Sequence, residues 1–112
     1  MKARKILDSF NYAIEGLVYA FRTQRNMKIH FIIAILTLVA AIVLGIDRNQ
    51  AIMLFITITL VIGSEMINTA IETIVDMISP QYHPMAKIAK NLAAGAVLVT
   101  AFNAIVVGYL VF

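Results

Sequence analysis

A chain of 112 residues, 62% hydrophobic and 13% charged, is expected to be one domain and too poor in polar groups to face water on all sides. Ordinary soluble domains carry roughly 25% charged residues. There is no cysteine, which excludes a disulfide or a thiolate metal site, and a net charge of +3 in such apolar company points to anionic headgroups or a phosphorylated substrate rather than nucleic acid.

The first element predicted is a helix over 1–28. Ile6, Phe10, Ala13, Ile14, Leu17 and Phe21 recur at three- and four-residue steps, with Asp8, Glu15 and Arg22 on the other side. Basic residues at both ends suit a helix lying in the headgroup layer. A long amphipathic stretch of this kind does not read as a cleavable signal, which needs a short apolar core and a small-residue cleavage site.

Three apolar runs follow. The first, 29–46, is interrupted only by His30 and Thr37 and approaches the ~20 residues that a spanning helix needs. Asp47-Arg48-Asn49-Gln50 makes a short polar turn. The second, 51–78, ends where Ser79-Pro80-Gln81-Tyr82-His83-Pro84 brings two prolines. A polar loop over 79–91, carrying Lys87 and Lys90, leads to an uncharged third run, 92–112. The fold class expected is therefore an all-α membrane protein, a surface helix plus three transmembrane helices. Lys2, Arg4, Lys5, Arg22, Arg25, Lys28, Lys87 and Lys90 share one side and only Arg48 lies on the other, so the N-terminus and the 79–91 loop are expected in the cytoplasm.

Inside the second run stand Glu65, Asn68, Glu72 and Asp76. At ~100° per residue they fall at about 0°, −60°, −20° and +20°, one polar stripe on a helix. Three of the chain's six acidic residues are on it. A charge in the bilayer costs from roughly 3 to more than 10 kcal/mol, so such residues mark function more often than filler. Glu65 and Glu72, two turns apart, suit a general base and an oxygen ligand for a hard cation such as Mg²⁺. The bland alternative is a pair of carboxylates neutralised by Lys or Arg of a neighbouring helix. Asn68 alone would bridge helices by hydrogen bonds, and Asp76 alone would sit at the interface. His30 reads as an interfacial residue, because no second His lies at ligand spacing. His83 reads as a solvated loop residue, and Lys87 and Lys90 as snorkelling anchors. Ala86, Ala89, Ala93, Ala94, Gly95 and Ala96 give a small-residue surface for close helix packing. Three helices cannot easily shield a four-residue polar stripe, which argues for an oligomer. No glycine-rich phosphate loop is present. These features fit an enzyme, a proton-coupled carrier and an assembly module equally well.

The segment Glu65-Met66-Ile67-Asn68-Thr69-Ala70-Ile71-Glu72-Thr73-Ile74-Val75-Asp76 resembles the signature of the small bacterial integral-membrane lipid kinases, the diacylglycerol kinase and undecaprenol kinase family. The likeness extends to Gly16-Leu17, to Arg25-Asn26 with Ile29-His30, and to Tyr82-His83-Pro84, Ala89-Lys90-Asn91 and Ala96-Val97-Leu98. It implies a homotrimer in the bacterial plasma membrane, with active sites between subunits at the cytoplasmic face. It also implies transfer of the γ-phosphoryl group of ATP, with Mg²⁺, to a lipid hydroxyl. By the same resemblance Glu65 is the general base, Glu72 the metal ligand, and Asn68 and Asp76 orient the site. Lys5, Tyr12, Gln24, Glu72, Gln81, Tyr82, His83, Lys90 and Asn91 match nucleotide-contacting positions, Lys5 where the family can have Arg. Gln24 stands where the family usually has a second metal-binding Glu, and Asn91 where Asp commonly follows the Ala-Lys pair. Each replacement keeps an oxygen and loses a charge, so a weaker metal site is expected. The Arg25-Asn26 and Ile29-His30 entry and the His83-Pro84 loop resemble the polyprenol branch, which puts undecaprenol slightly ahead of diacylglycerol. The alternatives are a small proton-coupled transporter and a catalytically weakened paralogue.

Overall fold

The computed structural model describes residues 2–112. Met1 and the side chain of Lys2, counted above among the cytoplasmic charges, lie outside the described residues. The chain runs as four helices: α1 (Lys2–Thr23), α2 (Arg25–Leu44), α3 (Arg48–Ile78) and α4 (Pro84–Val111). The last three are long and apolar enough to cross a membrane, so the fold is an all-α membrane fold with an amphipathic helix in front of three spans.

α1 stops one turn earlier than expected. Thr23 turns its hydroxyl back on the Tyr19 carbonyl at 2.7 Å, and Gln24 adopts an extended backbone (φ −105°, ψ 115°) from which α2 departs. Packing holds this corner: Met27 and Ala20 are buried there, and Phe21 meets Phe31 edge to face at 5.4 Å between ring centroids. The rest of the apolar face of α1, including Ile6, Phe10 and Leu17, is exposed, as suits a helix whose partner is lipid.

The α2–α3 connection is shorter than the polar turn read from sequence. Gly45 takes a left-handed conformation (φ 64°), and the N–H of Ile46 donates to the Ala41 carbonyl at 3.2 Å, closing α2 in a Schellman-type cap. Two residues later Asp47 caps α3. Its Oδ1 accepts from the Gln50 N–H at 2.8 Å while Gln50 Oε1 accepts from the Asp47 N–H at 3.2 Å, a reciprocal capping box. Arg48, Asn49 and Gln50 are thus helical.

A larger difference lies at the other end. Only 79–83 is loop; Pro84 opens α4 and His83 caps it, its Nδ1 accepting from the Met85 N–H at 3.1 Å. Proline at the first helical position forfeits no hydrogen bond and arrives with a helical φ, so Pro84 starts a helix that Pro80 keeps apart from α3. Lys87, Lys90 and Asn91 therefore stand on a helix and not on a loop.

α3 packs most extensively on α4, less on α2, and touches α1. Ser64 and Thr100 hydroxyls join α3 to α4 at 2.9 Å. Few large side chains are buried, among them Leu54 and Val61, whereas Ile42, Leu98, Phe102 and Tyr109 are open on the outside. At ~1.5 Å per residue the 31 residues of α3 run ~47 Å, beyond the ~30 Å of hydrocarbon.

Candidate active site

The polar stripe occupies the C-terminal half of α3. Counted from Arg48, Glu65 is ~26 Å along the axis, Glu72 ~36 Å and Asp76 ~42 Å. Depth and burial change together. Glu65 is 2% exposed and Asn68 8%, Glu72 is half-buried and Asp76 is exposed. One chain already buries the first two members, so shielding them does not require a second subunit.

Asn68 connects the stripe. Its Nδ2 donates to Glu72 Oε1 at 3.3 Å, as residues four apart on a helix can. Its Oδ1, like Glu65 Oε2, is buried without a hydrogen-bond partner among the described residues. Unpartnered buried oxygens are rare in folded proteins, because each forfeits its hydration. Two of them one turn apart are acceptors to which the described residues align no donor.

The basic group that faces Glu65 is His30, whose Nε2 is 3.4 Å from Glu65 Oε2. The sequence reading set His30 aside as interfacial, and its pairing across helices corrects that. At the outer end of the stripe Lys90 bonds to Asp76 Oδ1 at 2.5 Å, which brings α4 into the site. The remaining candidates are near the same end in sequence and topology but make no hydrogen bond to the stripe among the described residues. Lys5 and Tyr12 are exposed on α1. Gln24, at the α1–α2 corner, donates to Thr23 Oγ1 at 3.2 Å. Gln81 and Tyr82 are exposed in the loop, His83 caps α4, and Asn91 is exposed beside Lys90.

No cluster of three or more His, Asp or Glu is placed to cage a metal among the described residues. The donor set at Glu72 nevertheless fits Mg²⁺, which takes one or two carboxylates, completes its shell with phosphate oxygens and water, and prefers oxygen throughout. Glu72, with the Asn68 amide beside it, is the residue that would hold it. Between α2, α3 and α4 a cavity of about 480 Å³ runs from His30 past Ala34, Thr57 and Val61 to Gly108 and Phe112. It is an apolar space with His30, the residue that faces the buried carboxylate, in its wall.

This arrangement is one of a buried carboxylate, a half-buried carboxylate two turns outward and a lysine paired with Asp76 at the outer end. A model of the prokaryotic diacylglycerol kinase family matches residues 11–112. A diacylglycerol kinase of Synechocystis sp. is 44% identical over 107 residues, covering 95% of this chain but 61% of that longer protein. An undecaprenol kinase of Bacillus subtilis is 35% identical over 108 residues, 96% of this chain and 88% of the relative. A diacylglycerol kinase of Escherichia coli is 28% identical over 102 residues, 91% of this chain and 84% of the relative. With nearly all of its length matched, the chain belongs to the prokaryotic diacylglycerol kinase family.

Proposed function

We propose that the chain is a membrane lipid kinase that moves the γ-phosphoryl group of ATP to the hydroxyl of a lipid alcohol. The observation that carries this reading is Glu65: a carboxylate 2% exposed inside a helix apolar enough to span a membrane, two turns inward of Glu72, at the depth where a membrane alcohol presents its hydroxyl. In the proposed reaction Glu65 takes the hydroxyl proton as the lipid oxygen bonds to the γ-phosphorus and ADP leaves. Phosphoryl transfer asks mostly for positioning and charge compensation. Asn68 orients Glu72, and Lys90 and His83 offer positive or donor groups to the phosphates at the cytosolic end. Bound at Glu72, Mg²⁺ would neutralise charge on the phosphate oxygens. Tyr12, Gln81, Tyr82 and Asn91, with Lys5 and Gln24, are proposed nucleotide contacts on the strength of the family motif.

The proposal places the chain in a bacterial plasma membrane with the stripe facing the cytoplasm. Support comes from the Lys and Arg distribution: Arg25, Lys28, Lys87 and Lys90 cluster at one end of the spans and Arg48 lies at the other. A homotrimer is proposed from the resemblance, and the exposed apolar flanks of α2 and α4 leave room for one. Undecaprenol is proposed slightly ahead of diacylglycerol, on the Arg25-Asn26, His30 and His83-Pro84 matches; relatives of both names match this chain over most of its length.

The test is transfer of label from radiolabelled ATP, with Mg²⁺, to undecaprenol and to diacylglycerol offered separately in mixed micelles. Label should enter at least one lipid, and Glu65→Gln should lower the rate at least ~100-fold, the size expected of a general base. No label on either lipid at high Mg²⁺, or a Gln variant as fast as the parent, refutes the reading.

A further inference from the structure

We infer that His30 is a positioning residue for Glu65: its Nε2 holds one carboxylate oxygen so that the other is presented to the lipid hydroxyl. The inference rests on Glu65 being the base and goes beyond the motif that suggested it.

The groups around Glu65 leave His30 alone for this role. Asn68 spends its Nδ2 on Glu72, and its Oδ1 can only accept. Thr69 donates to the Glu65 backbone carbonyl at 2.9 Å, not to the carboxylate. Lys28 and Arg25, the cations nearest in sequence on α2, are exposed. Lys28 lies two residues before His30, on the other side of the helix. Lys90 is engaged with Asp76. A carboxylate whose side chain is 3% exposed needs a partner, because an unpaired buried charge is costly, and the imidazole, 20% exposed, is the partner the fold supplies. Depth agrees as well: His30 is ~7.5 Å into α2 and Glu65 ~26 Å along the antiparallel α3, so the two helices bring them level.

The separation of 3.4 Å is just longer than an N–H···O bond of ~2.7–3.2 Å. Catalytic hydrogen bonds often tighten only when substrate is bound. With the Nε2 proton directed at Oε2, the free lone pairs of Oε1 meet the hydroxyl. As the lipid O–H bond breaks and the O–P bond forms, the proton comes to rest on Glu65 Oε1. It leaves with product exchange.

Four variants test this in the mixed-micelle assay, with diacylglycerol and undecaprenol as the acceptors. His30→Leu should lower kcat fivefold or more while the KM for ATP stays within twofold. His30→Gln, whose amide nitrogen reaches about as far as Nε2, should recover at least a third of the parent kcat. His30→Asn, a methylene shorter, should stay with Leu. On a Glu65→Gln background, His30→Leu should cost nothing further. A Leu variant within fivefold of the parent, a loss expressed in the KM for ATP, or a Gln variant no faster than Leu overturns the inference. Should the Leu variant not fold, the comparison is Gln with Asn: threefold or more in favour of Gln supports the role, and equality overturns it. If Glu65→Gln is inactive while His30→Leu is unaffected, only this inference fails. If the parent phosphorylates neither lipid, the kinase reading fails and takes the inference with it.

Discussion

Asn68→Leu separates a role in metal binding from a role in stability. In the folded chain Asn68 makes one useful bond, to Glu72 Oε1 at 3.3 Å, and leaves one atom, Oδ1, buried and unsatisfied. Hydrogen bonds to a charged group contribute ~1.5–3 kcal/mol. The length here argues for the lower end, ~1.5 kcal/mol, which is about tenfold in an equilibrium constant. An unsatisfied buried acceptor costs a similar ~1–3 kcal/mol, and leucine removes that cost together with the bond. The two changes oppose each other in stability but not in the orientation of Glu72. Thermal unfolding should thus stay within a few degrees of the parent, while the Mg²⁺ concentration for half-maximal phosphoryl transfer rises about tenfold. An Mg²⁺ requirement within twofold of the parent would refute Asn68 as the group that orients the metal ligand. A fall in Tm beyond ~5 °C would show that the balance of the two terms is wrong.

Gln24→Glu should lower the Mg²⁺ needed for half-maximal rate, and an unchanged requirement removes Gln24 from the metal site. Lys90→Met should raise the KM for ATP severalfold with little change in Tm, because its exposed pair with Asp76 is worth at most ~1 kcal/mol; a large loss of stability with an unchanged KM contradicts this. In a double-mutant cycle of Ser64→Ala and Thr100→Val, unfolding in detergent should give a coupling of ~0.6 kcal/mol and no more than ~1.7, the range of hydrogen bonds between membrane helices.

The sequence made the acidic stripe legible because rarity is a local property: three acids at helical spacing among Ile, Val and Met need no structure to be noticed. The three spans were legible for the same reason. What escaped were relations between helices. His30 has no partner at any telling spacing along its own helix, and it gains significance only when α2 and α3 lie antiparallel with His30 and Glu65 level. Ser64 and Thr100, 36 residues apart, are equally silent in one dimension. The 79–91 region was misjudged for a different reason. Two prolines were taken as one interruption, although the first lies in the connection just after α3 ends and the second begins a helix with His83 as its cap. The sequence argument for an oligomer also assumed that one chain cannot cover the stripe, and tertiary packing covers Glu65 and Asn68 within the single chain.

The excess length of α3 ties the site to the membrane around it. Nothing in this helix breaks between Arg48 and Ile78, so Glu65, Glu72 and Asp76 hold fixed heights relative to the capped turn at Asp47. Lipids with longer acyl chains move the water boundary along that ruler towards Glu72, and shorter chains draw it back towards Glu65, unless tilt absorbs the difference. The acyl-chain length of the host bilayer thereby becomes a variable of the site, setting how far below the water boundary each carboxylate lies.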